Sequence, residues 1–294
     1  MERFIKAGRI SVYNMRMLTE NIRIPAMIVI VFLFIVQNLS SVLLFSKSVD
    51  IPVTPYGFVF LVNDFTCQFV MIAGAVVIFS NAPFENDGHP YMLFRAGRLS
   101  WALGQVIYIF KMSTLYISSL AAATIIPFIG NLAFCAEWGK IWGTLAKTDE
   151  GSRFGLIFSI PESIIREYAP VNVLLISILL EWACVVWLGL LIYFGNKITG
   201  KSLGTIAGIF FTLLDICIAN DWLDSAYRFS PVSLAQINRY SGYALKYKIN
   251  PAYGVRFFVF GILVLIVLCL FANYIDKIKR LKYDRRKRWN RTQR

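Results

Sequence analysis

NVLLISILLEWACVVWLGLLIYF, residues 172–194, decides the fold class: it is apolar almost throughout and carries one charge, Glu181. An α-helix rises about 1.5 Å per residue, so about 20 such residues cross a hydrocarbon core of about 30 Å. Five further runs of the same character fall at about 24–45, 58–82, 105–130, 203–221 and 254–275. They are too long and too uniformly apolar for barrel strands, in which apolar and polar residues alternate. In lipid a backbone must satisfy its own hydrogen bonds, which leaves the helix. The reading is an all-α membrane protein with six transmembrane helices in one domain, 24–275.

No stretch between the runs exceeds about 41 residues, too little for an enclosed core of its own. A net charge of +13 would point to nucleic acid in a soluble protein. In a membrane protein, Lys and Arg gather in cytoplasmic segments instead. Nineteen of them lie in 1–23, 83–104, 195–202 and the basic tail 276–294, against about ten in the opposite loops. With an even number of spans, both termini are expected in the cytoplasm, and no nucleic-acid partner is expected. Residues 1–23 set Phe4, Val12, Met15, Leu18 and Ile22 on one helical face and Glu2, Lys6, Arg9, Arg16, Glu20 and Arg23 on the other. That pattern predicts an amphipathic helix lying on membrane lipid at the inner leaflet. The early apolar region and cleavage site of a secretory signal are not seen there. Cys67, Cys184, Cys217 and Cys269 read as small buried hydrophobes, and Cys135 alone falls in an outer loop, so no disulfide is expected.

Residues 195–202, GNKITGKS, match the phosphate-binding pattern GxxxxGK[ST]. That loop works between a strand and a helix of a soluble domain, whereas here it joins two apolar runs. It is read as a hairpin bearing two basic topology residues. His89 is the only histidine, so neither a zinc site nor an H-E-x-x-H protease is read, and no catalytic residue is assigned. Glu181 and Asp215 fall near the middle of their runs, with no Lys or Arg of any run at that depth. A carboxylate there costs about 2.5–3.5 kcal/mol on insertion scales unless it faces protein or water. Two readings stand: the wall of a transport path, or a structural carboxyl bonded between helices. Gly204 and Gly208 have the small-xxx-small spacing of a close helix contact. PESIIREYAP, 161–170, reads as a short capped helix. The first half of the outer segment 221–250, with Trp222, Tyr227 and Phe229, is too apolar for a solvated loop and is read as dipping toward the bilayer.

The inner segment PFENDGHPYMLFRAGRLSWALGQ carries a family likeness. Glu85, Gly88, Leu93, Arg98, Trp101 and Gly104-Gln105 resemble the pattern before the third span of type-2 ABC exporter permeases. The layout is similar too: an amphipathic leading helix, six spans, and Ser230-Pro231 before the last. His89 stands where that family usually has threonine and Gln105 where it has lysine, and the segment between spans three and four is long. The resemblance implies a permease that pairs with a second permease subunit as a homodimer and docks two copies of a separate ABC ATPase subunit. ATP and magnesium would belong to that partner, with no cofactor on this chain. Segment 84–104 would be the coupling helix, with Glu85, His89, Arg95 and Arg98 meeting the ATPase. The family implies a bacterial plasma membrane and an amphipathic or hydrophobic cargo, peptide or lipid-like.

The rival expectation is an ATP-independent channel or secondary transporter using Glu181 and Asp215. Against it, the sequence lacks a pair of spans broken by Gly or Pro.

Overall fold

The computed structural model describes residues 2–17, 22–85, 89–199, 202–240 and 249–292, with side chains as far as Tyr274 except those of His89 and Asp224. Helix α1 (Glu2–Arg16) leads to α2 (Arg23–Ser48), then to a short α3 (Gly57–Asn63) and α4 (Phe65–Phe79). Next come α5 (His89–Ala96) and α6 (Arg98–Ile125), followed by three small helices, α7 (Gly139–Lys147), α8 (Glu150–Arg153) and α9 (Glu162–Glu167). The chain ends with α10 (Pro170–Thr199), α11 (Leu203–Ala219), a five-residue α12 (Pro231–Ala235) and α13 (Pro251–Thr292). Among the described residues there is no strand, and Val53 and Leu132 make an isolated bridge.

Four helices, α2, α6, α10 and the first part of α13, are long and apolar enough to cross a membrane, and the bent pair α3–α4 adds a fifth. The chain is a multi-pass helical membrane protein. Its surface chemistry agrees. On α11, Ile206, Ile209, Phe210 and Leu213 are exposed while Gly204, Gly208, Thr212 and Asp215 are buried. A helix of a soluble protein shows the reverse.

Three expected boundaries change. The run 58–82 is two helices meeting at 89°. Asn63 Nδ2 bonds back to the Val59 carbonyl at 2.7 Å, and Asp64, in extended conformation, accepts the Thr66 and Cys67 amides at 3.1 Å each. Asp64 therefore caps α4 and ends α3, without Gly or Pro. The run 203–221 gives only the 17 residues of α11, about 25 Å long and short of a full crossing. The segment 84–104, expected as the coupling helix, is divided at Gly97, whose φ of 82° and ψ of 153° belong to a region essentially restricted to glycine. Residues 98–104 belong to α6. The tail continues α13 as helix to Thr292.

The connections gather at two ends of the bundle. At one end, Asn196 of α10 donates to the carbonyl of Ala82 at 2.8 Å, Thr205 of α11 donates to that of Ser80 at 3.1 Å, and α1 packs on α5 and α6. At the other, Val53 N–H meets Asn131 O at 2.9 Å, Thr54 Oγ1 donates to Trp138 O at 2.7 Å, and Ser159 N–H reaches Asp64 at 3.2 Å. There α7, α8 and α9 form a cap whose Trp142, Ile141 and Ile164 are buried against the bundle. α9 starts after Pro161 as its sequence indicated.

Helix α1 presents three faces. Ala7, Ile10, Ser11 and Asn14 are buried, with Ala7 and Ile10 close over Gly104 of α6. Phe4, Ile5 and Val12 are exposed, as bilayer contact requires, and charge occupies the remainder. The sequence reading had two faces. Leu18 and Glu20 lie outside the described residues.

Candidate functional site

Two groups of residues carry chemistry, one at each depth of the bundle. The first is the segment from Glu85 to Gly104. Glu85 is not free: Lys197, near the end of α10, places Nζ 2.9 Å from its Oε1 and 5.2 Å from the centroid of the Trp101 ring. The segment is thereby tied to α10 before α5 begins. His89 opens α5, and the turn Asn86, Asp87, Gly88 lies outside the described residues. Arg95 lines a cavity of about 370 Å³ against α1. Arg98 lines another of about 440 Å³ with Leu270, Asn273 and Tyr274 of α13. α5 also exposes two aromatic side chains: Phe94 is 93% exposed and Tyr91 67%. The sequence reading chose the charges here and did not consider this pair.

The second group is a buried polar layer. Glu181 is fully buried, and its Oε2 accepts from Gln68 Nε2 of α4 at 2.8 Å. Asp215 is also buried; Oδ1 accepts from Ser233 Oγ at 2.5 Å and Oδ2 from Gln236 Nε2 at 2.9 Å. Both donors lie in 230–240, a segment buried almost throughout and packed on α10 and α11. Pro231 at the first helical position and Ser230 Oγ, which accepts the Ser233 amide at 3.3 Å, start α12. The same segment brings the buried Arg239 guanidinium into electrostatic range of Asp215. Asn238 then bonds Asn63 at the broken helix, N–H to Oδ1 at 2.9 Å and Nδ2 to the carbonyl at 3.1 Å.

The outer segment is buried in its middle rather than at its start. Trp222 and Phe229 are exposed, Tyr227 is buried, and 230–240 goes inside. The layer joins α3–α4, α10, α11 and the 230–240 segment, and it gives Asp215 a donor on each oxygen and Glu181 a donor on one. Glu181 Oε1, Gln68 Oε1 and Ser177 Oγ have no partner among the described residues. The readable signal for this layer was Asn63-Asp64 inside an apolar run, a helix-start pair where none should be.

Gly204 and Gly208 hold α11 to α10. A Cβ on Gly204 would overlap the Ile192 carbonyl, and one on Gly195 would come within 2.6 Å of Gly204 Cα. Residues 195–199 are helical, so the stretch resembling a phosphate-binding loop begins as the packed end of α10; Gly200 and Lys201 lie outside the described residues.

No family model matches the chain, and no curated protein or solved structure is significantly similar to it.

Proposed function

We propose that this chain is the membrane permease subunit of an ABC exporter, crossing the bacterial plasma membrane six times with both termini in the cytoplasm. In this reading the end carrying α1, α5 and the α10–α11 connection faces the cytosol, and α11 with the residues after it makes the fifth crossing. The observation that carries the reading is α5: a short helix, joined to α6 at Gly97 and preceded by the Glu85–Lys197 pair, that exposes Phe94. Exposed aromatics on a braced element mark a protein interface. A separate ATPase subunit bound there, holding ATP and magnesium, would push a helix directly joined to α6. The permease works as a homodimer on an amphipathic or hydrophobic cargo, peptide or lipid-like, and has no catalytic residue of its own. Purification from its native membrane tests this. A stoichiometric nucleotide-hydrolysing subunit should accompany the chain and be lost on Phe94→Asp; purification without one would contradict the proposal.

A second reading is favoured by one observation. A broken helix and an inward segment meet at two buried carboxylates, an arrangement used by ATP-independent transporters. Solute flux into proteoliposomes without nucleotide, lost on Glu181→Gln or Asp215→Asn, would select it.

A further inference from the structure

We propose that the groove between α1 and α5 binds the phosphodiester headgroup of an anionic phospholipid. The groove is a cavity of about 370 Å³ with Lys6, Arg9, Tyr91 and Arg95 at its walls and Ile10 and Met92 among its apolar lining. Three cations and a phenol converge from two helices. Arg9 and Arg95 have no ion pair among the described residues, and Lys6 pairs only with Glu2, an exposed contact at 2.7 Å that a phosphate oxygen can replace.

The neighbourhood selects a lipid over a free anion or an acidic protein face. On the outward face of α1, next to the face that lines the groove, Phe4, Ile5 and Val12 are exposed. In water that strip would be costly to expose, whereas at the interface it lies among acyl chains and sets the groove at headgroup depth. Cationic side chains at that depth recognise anionic headgroups through charge-assisted hydrogen bonds. A headgroup held between α1 and α5 would bias the position of the helix hinged at Gly97, making it sensitive to membrane charge.

Native mass spectrometry of the full chain in detergent, titrated with phosphatidylglycerol or phosphatidylcholine, tests this. The wild type should retain phosphatidylglycerol at least tenfold better, and K6Q/R9Q should lose that preference while R9K keeps it. Neutralising Arg285, Arg286, Lys287 and Arg288 in the tail should leave the preference intact. Thermal melting of each variant checks folding; if K6Q/R9Q does not fold, R95Q on the opposite wall replaces it. Four results would overturn the proposal: an unchanged preference in the folded groove variant, loss of preference with the tail variant instead, displacement of the lipid by millimolar inorganic phosphate, or loss of a co-purifying protein without change in lipid retention. Lipid retention is read without an ATPase, so its failure leaves the assignment of α5 untouched.

Discussion

Lys197 holds Glu85 at 2.9 Å, joining the end of α10 to the start of the segment that carries α5. The pair is part exposed, with Lys197 the more covered member and seated over Trp101. Pairs of this kind contribute about 0–1 kcal/mol. Glu85→Gln or Lys197→Gln should therefore barely move the melting temperature, yet uncouple ATP hydrolysis from transport. The swap Glu85→Lys with Lys197→Glu should recover coupling. Paired assays of hydrolysis and transport decide; equal coupling in all three variants would remove the tie from the mechanism.

Gly97→Ala puts a side chain into a conformation that costs about 1–3 kcal/mol. No atom crowds the position, so strain alone acts. The expected result is faster hydrogen exchange over α5 and the first turn of α6, with α10 and α11 unchanged. Identical exchange in wild type and variant would mean that the φ at this position is not constrained.

Gly204→Ala and Gly208→Ala should differ. The first drives a methyl into the Ile192 backbone, which cannot move, whereas the second meets only side-chain atoms, of Ile192 at 3.1 Å and Val76 at 3.3 Å. Overpacking of a rigid site costs about 1–3 kcal/mol. Folded yield and detergent melting should fall clearly for Gly204→Ala and little for Gly208→Ala.

The two carboxylates should also part company. Asp215→Ala strands the Ser233 hydroxyl and the Gln236 amide; leaving a buried donor without its acceptor costs about 1–3 kcal/mol. Glu181→Gln keeps an oxygen for Gln68 and should fold as wild type. If that folded variant also transports normally, Glu181 is structural. Melting of Asp215→Ala equal to wild type would contradict the bonding of the 230–240 segment.

Length and hydropathy made the membrane class legible, because about 20 apolar residues have few other uses. The α10 run at 172–194 was read nearly to its ends, which extend only to Pro170 and Thr199. Hydropathy is blind to what interrupts a run. Asp64 breaks 58–82 because its carboxylate takes two amides, a local bond that no average over a window registers. It is equally blind to distant supply: Arg239 and Gln236 look like loop residues until chain reversal carries them to Asp215. Around Gly97 the charges drew the eye, but Arg95 of α5 lines a groove against α1 and Arg98 of α6 one against α13, while Phe94 faces out. Helical periodicity could not say which face had neighbours.

The most direct test of the permease account reconstitutes the chain in proteoliposomes with its co-purified nucleotide-hydrolysing subunit and measures ATP hydrolysis with wild type and with Phe94→Asp. Expected is hydrolysis that rises when the wild-type chain is present and returns to the level of the subunit alone with the variant. Hydrolysis indifferent to the chain, or solute flux through the chain with no nucleotide, would contradict it.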